Sequence, residues 1–330
     1  MHPFPFSVLA GARYVSALAI LGVAASAHAW KPGDRATLRI ANSQPNQSIY
    51  AIGVAYKNII EQKVPGVRFE IIATQGGDEN AKLMMAREAE IINANTVAPY
   101  SAHYGRFSYE GKKPDRNVLA FFPAYTWEIG PMVPANSPVK NFRELLGKRV
   151  ATGPVGSGVE LTWRQTLEAL GLKDDSFARV QRSAPTQGFN GMAANSLDAF
   201  FWGTAHPAGV VMEKAATGSL KFVSIDKADL AKIAARFPYY HAGELRANTY
   251  KGQTEAVNWV GGSTHFWVHG TLNENLVYTL VKTLWENRET IRKSHSSQKY
   301  LDEDLVRQQA ALLPFHPGAA RYFKEVGILK

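Results

Sequence analysis

The sequence predicts an α/β protein in which mostly parallel sheets are covered by helices. Short apolar runs alternate with stretches whose apolar residues recur at helical spacing, and loops follow where the runs end. One segment, Thr152–Val159, reads Thr-Gly-Pro-Val-Gly-Ser-Gly-Val and leads from such a run directly into a helical pattern.

The elements follow in order. Leu38–Ala41 reads as a strand, and Ile49, Ile52, Tyr56, Ile59 and Ile60 fall on one helical face. Val67, Phe69 and Ile71 alternate as a strand, Glu79–Glu88 reads as a helix, and another apolar piece opens at Ile91 and Ile92. Val118–Phe122 is a further strand. A second cycle starts near Ser137–Gly147, with strands at Arg149–Ala151, Leu197–Trp202 and Phe222–Ile225. Between the first two lies the helix Glu160–Leu170, whose Trp163, Leu167 and Leu170 share a face. Ser157 and Glu160 form the S-x-x-E pattern of a capping box before it, and Gly171 supplies the stop. Phe237–Val257 has no sustained period and is expected to be a long loop region. Ser263–His269 reads as strand, and Thr271 with Glu274 is expected to cap a helix with a broad apolar face from Leu276 to Trp285.

The first 29 residues have the parts of a secretory signal. Arg13 is the only formal charge before Lys31, Tyr14–Ala25 is uncharged and apolar, and Ala27-His28-Ala29 is a small-x-small cleavage site. The apolar stretch is far shorter than the ~20 residues of a spanning helix. Cysteine is absent, which excludes disulfides, a lipid-modified cysteine and cysteine-based metal sites or nucleophiles. A mature chain of roughly 300 residues favours two domains of about 150. The formal net charge is +9, but the basic residues are scattered as singletons and pairs such as Lys112-Lys113 and Lys148-Arg149. A nucleic-acid partner calls for a clustered basic stripe with interleaved aromatics, so none is expected.

In open α/β sheets ligands bind beyond the carboxyl ends of strands. The loops in that position are Asn42–Ser48, Thr74–Asn80, Asn93–Thr96, Ala124–Trp127, Gly153–Gly158 and Gly203–Pro207. The Gly153–Gly158 turn has the strongest chemical meaning. A glycine-rich turn into a helix presents unpaired N–H groups and the positive end of a dipole, which suits an anion. No lysine follows in Walker fashion and G-x-G-x-x-G is absent, so a carboxylate is a simpler guest than a nucleotide. An ordinary structural turn is the alternative.

Enzyme chemistry is poorly supported. His265 and His269, placed on a strand, sit roughly 13 Å apart at about 3.3 Å per residue, too far for one metal. Ser296 and Lys299 match a S-x-x-K fragment without its companion motifs, and no G-x-S-x-G elbow occurs. Neither a cofactor nor a metal is expected.

Several segments, taken in order, resemble a known family. Thr74–Asn80 (Thr-Gln-Gly-Gly-Asp-Glu-Asn) and Gly153–Gly158 are two of them. Leu197–Phe201 leading to His206-Pro207, Asn248–Gly252 and His316–Tyr322 complete the set. From about Thr37 to Gly327 the chain resembles TAXI-type solute receptors, the periplasmic solute-binding subunit of some tripartite ATP-independent (TRAP-type) transporters. The resemblance implies a two-lobed, type II-like periplasmic-binding-protein fold. Each lobe is then a mostly parallel sheet flanked by helices, and the chain crosses between lobes twice, near Tyr125–Pro131 and near Trp259–Thr264. Lobe one would be residues 30–130 with 260–330, and lobe two 131–259. It also implies a small organic anion as ligand, carboxylate or amino-acid-like, membrane-embedded transporter subunits as partners, and a monomeric receptor in the periplasm. A receptor presenting its ligand to a membrane sensor kinase, and an exported hydrolase, are the alternatives. Two segments depart from the family pattern: Asn42–Tyr50 has one tyrosine and no glycine, and Asn93–Thr96 replaces a Val-Gln-Ser-Asp stretch. Both exchanges introduce amide side chains that donate and accept.

The candidate ligand contacts are these. Ser157, Gly158 and Val159 would donate to an anionic group, with helix capping as the alternative for Ser157. Asn46, Gln47 and Ser48 face the cleft if the first helix starts near Ser48; a polar turn is the alternative. Gly76 and Asp78 lie in the second post-strand turn, where Asp78 either N-caps the next helix or meets a ligand amine. Asn95 and Thr96 follow a strand end. Tyr125, Trp127 and Trp202 either wall the cleft or pack in the core. His206 either meets a carboxylate or is a satisfied structural histidine. Mass analysis of periplasmic extract should find a soluble chain beginning at Trp30; the intact Met1 chain in the membrane fraction would contradict the signal reading.

Overall fold

The computed structural model describes residues 30–45 and 48–330, with Ser48 given by its backbone. The signal-like segment 1–29, and Asn46 and Gln47, lie outside the described residues. Ten strands form one sheet: β1 (Ala36–Ala41), β2 (Val67–Ile72), β3 (Ile91–Asn95), β4 (Val118–Pro134), β5 (Arg149–Thr152), β6 (Arg179–Arg182), β7 (Ala199–Thr204), β8 (Leu220–Phe222), β9 (His241–Leu245) and β10 (Val257–His269). Their order is β2-β1-β3-β10-β4-β7-β5-β6, with β8 on β4 and β9 on β10. Four helices matter most for the site: α1 (Ser48–Lys63), α2 (Gly77–Met85), α3 (Val97–Tyr104) and α4 (Gly158–Ala169).

The order resolves into two parallel triads, β2-β1-β3 and β7-β5-β6, joined through the antiparallel pair β10–β4. Two antiparallel steps separate the first triad from β4, so β4 runs the same way as that triad. The second triad runs against β4. The carboxyl ends of both triads therefore point toward the middle of β4. Asn95, the end of β3, is level with Thr264 and Tyr125, and Thr204, the end of β7, is level with Glu128. One continuous sheet thus joins two α/β halves.

β4 is 17 residues long and β10 is 13; β4 pairs with the second triad through β7 and β10 with the first through β3. β4 pairs with β10 along most of its length and with β7 at Glu128–Met132, while β10 pairs with β9 at its start and with β3 at its end. Tyr125–Pro131 and Trp259–Thr264, the segments expected to cross between lobes, lie inside these two strands. Here two glycines are dictated by close approach. A Cβ on Gly130 would overlap the Trp259 ring, and one on Gly262 would overlap the Trp127 ring. Trp259 also donates its Nε1–H to Val223 O at 2.8 Å, and Trp127 meets Tyr240 edge-on at 6.0 Å between centroids. Each crossing strand thus lays a tryptophan over a glycine of the other.

Several sequence expectations change in detail. Ala124–Trp127, expected as a loop, continues β4; Pro123 breaks no ladder because a register shift between Thr264 and His265 sits opposite it. Asn93–Asn95 belong to β3, and Thr96 passes straight into α3. Phe237–Val257 contains β9, which pairs Leu245 to His241 against Val257 to Gly261. The helix expected to be capped by Thr271 spans Glu274–Glu286 and is capped by Asn273, whose Oδ1 accepts from Asn275 and Leu276 N–H; Thr271 instead meets His269 Nδ1 at 2.8 Å. β8 ends at Phe222, short of the expected Ile225.

Overpacking a close-packed contact costs about 1–3 kcal/mol. Gly130→Ala and Gly262→Ala are each expected to lower unfolding stability by that amount, read as a shift of the urea midpoint. A midpoint unchanged in both variants would show that the tryptophans are free to yield.

Candidate functional site

The two converging edges enclose a cleft of ≈ 1040 Å³. Each parallel strand hands the chain to a helix at its carboxyl end, so helix N-termini gather here. Ile49 of α1, Gly77 of α2, Val97 of α3 and Gly158 of α4 all line the cleft. Each terminus presents N–H groups without intrahelical partners and a partial positive charge. A second cavity of ≈ 550 Å³, lined by Phe189, Met192 and Lys214 among others, has no helix N-terminus.

The α4 wall is built by its glycine turn. Gly153 has no room for a Cβ, because Ser157 Oγ and the Val159 side chain lie against it. Ser157 N-caps α4, its Oγ accepting from Glu160 N–H at 3.2 Å. The reciprocal half of the expected capping box is absent: the Glu160 carboxylate pairs with Arg164 at 2.8 Å and Arg182 at 3.8 Å. Among the described residues the N–H groups of Gly158 and Val159 find no acceptor. Across the cleft, Asn95 Oδ1 accepts from Val97 N–H at 3.2 Å, which leaves its Nδ2 to donate. That Nδ2 lies 3.4 Å from where a Gly158 Cβ would stand. A donor from the first triad therefore stands beside the N-terminus of α4.

Below the opposite wall a buried amide network ties three strand ends together. Asn80 Nδ2 donates to Asn42 O at 3.1 Å and to Asn93 O at 2.7 Å, while its Oδ1 faces Thr74 Oγ1 at 2.5 Å. Gly76 N–H in turn donates to Thr74 Oγ1 at 2.9 Å. Asn42 and Thr74 follow β1 and β2 and Asn93 lies within β3, so Asn80 holds together the edge that the cleft is built on. Ser43 stands beside this network, only 7% exposed, and lines the cleft; its Oγ has no hydrogen-bond partner among the described residues.

Of the residues singled out from sequence, Gly76, Asp78, Asn95, Tyr125, Ser157 and Gly158 line the cleft. Asn46 and Gln47 fall outside the described residues, as does the Ser48 side chain, although α1 does begin at Ser48. Asp78 is not the cap of α2: Gly76 is, and Asp78 stands exposed in the first turn. Five residues are withheld from the cleft lining. Val159 turns its side chain into the core beside Gly153. Thr96 is buried, its Oγ1 donating to Ser263 O at 3.2 Å. Trp127 packs on Tyr240, and Trp202 stacks on Phe200 in a separate apolar cluster. His206 accepts at Nδ1 from Tyr250 Oη at 2.6 Å and donates from Nε2 to Glu128 O at 2.9 Å; burial lowers its pKa to about 4, so it is neutral.

Sequence reasoning missed Ser43, Leu161, Phe107, Arg164 and Arg236, which also line the cleft. Leu161 was within reach, being one helical turn past Gly158 on the same face. Phe107 and Arg236 come from segments with no local motif. The two arginines are already paired, Arg164 with Glu160 at 2.8 Å and Arg236 with Glu168 at 2.7 Å. Among the described residues no cluster of His, Asp or Glu suits a metal ion.

Comparison with solved structures agrees with this architecture. A TctC solute binding protein from Polaromonas superposes with a TM-score of 0.55 at 12% identity, covering 84% of this chain and 97% of that one. The periplasmic aliphatic sulphonate binding protein SsuA from Escherichia coli matches with a TM-score of 0.47 at 14% identity, covering 84% of each chain. The model of the NMT1-like family matches residues 40–327, almost the whole described chain, and the protein belongs to that family.

Proposed function

We propose that this protein is a periplasmic solute receptor that captures a small organic anion in the cleft and delivers it to membrane-embedded transporter subunits. The TAXI-like motifs favour a TRAP-type transporter, with lobe one formed by residues 30–130 and 260–330 and lobe two by 131–259. One observation carries the reading: Asn95 Nδ2 from one wall stands beside Gly158, the first residue of α4 on the other, where the Gly158 and Val159 N–H groups have no acceptor among the described residues. Such a donor set matches a carboxylate, which accepts from several N–H groups at once. Ligand bridging both walls binds the closed arrangement better, because only there are both sets of donors within reach, and differential contact is what shifts the population. Among the described residues no helix is long and apolar enough to cross a membrane.

Native mass spectrometry of the periplasmic protein is expected to show a co-purified organic acid. A hydrogen bond to a charged group contributes about 1.5–3 kcal/mol, so Asn95→Ala is expected to weaken its binding roughly 10- to 150-fold by calorimetry. Gly158→Ile should weaken it at least as much by filling the seat. Unchanged affinity in both folded variants would assign the convergence a structural role alone.

A further inference from the structure

The cleft also carries information about the body of its ligand, and this rests on the anion reading above. We propose that it selects a monocarboxylate with an apolar body of several carbons, seated head-first at the N-terminus of α4.

The head group is fixed by neutral donors. Gly158 and Val159 N–H, Asn95 Nδ2 and the free Ser157 hydroxyl proton surround the seat. On the facing wall stands Ser43, whose buried Oγ has no partner among the described residues. Helix dipoles and neutral hydrogen bonds suffice for one negative charge. A second carboxylate would find no unpaired cation among the described lining: Arg164 and Arg236 are ion-paired with Glu160 and Glu168. It does offer three acids, Asp78, Glu79 and Glu110, which line the cleft and repel another anionic group.

Next to the seat the lining turns apolar. Leu161 lies one turn along α4, about 4.5 Å from Gly158 at 1.5 Å per residue. Val97 and Ala98 open α3 on the side that carries Asn95, and both line the same cleft, as does Ile49. Farther along stand Phe107 and Phe237, whose ring centroids are 5.4 Å apart. A chain or ring attached to a carboxylate held at Gly158 thus has Leu161, Val97 and Phe107 in the same cleft to pack against. Burying a methylene favours binding by about fourfold.

The test is calorimetry on the mature protein, stripped of endogenous solute by unfolding and refolding. Its probes are acetate, butyrate, hexanoate and phenylacetate, with succinate and adipate as dicarboxylates. Affinity is expected to rise about fourfold per methylene from acetate to hexanoate, with adipate on the order of tenfold or more weaker than hexanoate. Leu161→Asn should flatten the rise with chain length, while a folded Leu161→Met variant keeps it. Hexanoate binding no tighter than acetate, or adipate binding tighter than hexanoate, overturns this inference and leaves the anion reading standing. Binding of none of the six overturns both.

Discussion

The antiparallel pairing of β4 with β10 is the constraint on which the remaining geometry depends. Because β4 runs with one parallel triad and against the other, it turns two sets of strand carboxyl ends to face each other. A parallel strand must be followed by a crossover, and here the crossovers begin with helices at those ends. The N-termini of α1, α2, α3 and α4 are thereby delivered to one cleft by topology, without any cluster of charged side chains. The same two strands are the segments that join the halves. Two of their contacts are aromatic rings lying over glycines, smooth surfaces that hold the strands together without interlocking side chains.

Electrostatics in the cleft follow from that arrangement. The seat is positive through backbone dipoles, whereas the arginines near it are committed to Glu160 and Glu168 and the acids Asp78, Glu79 and Glu110 line the remaining wall. The buried Asn42–Thr74–Asn80–Asn93 network supplies rigidity under one wall without adding charge. Histidines play no part in the seat. His206 and His265 are held neutral by burial and bonded to neighbours within the protein.

Much of this was legible in the sequence, for reasons that differ by element. β1, α1, β2 and β5 announce themselves because each buries a clear apolar face, and the glycine turn before α4 because only that residue type permits Ser157 and Val159 to approach Gly153. β6 and β9 were not legible: Arg179–Arg182 and His241–Leu245 pair on one side only and bury too few apolar residues to show a period. The length of β4 was hidden by Pro123 and Pro131, residues that argue against a strand unless a register shift accommodates them. In the site, strand-end position led to Ser157, Gly158 and Asn95, which line the cleft. For Trp127, Trp202 and His206 the structure takes the alternative left open, core packing for the tryptophans and bonding within the protein for His206, because a side chain near a strand end points into the core as readily as into the cleft, and local sequence does not distinguish the two faces of a buried strand.

The central claim is that ligand bridges two walls that move about the β4–β10 pair. Small-angle scattering of the purified receptor, with and without the solute that co-purifies with it, tests this most directly. The account predicts a smaller radius of gyration when solute is bound, with the change saturating at the stoichiometry found by calorimetry. Superimposable scattering profiles for free and bound protein, in the presence of calorimetrically proven binding, would contradict it and leave a preformed, rigid site.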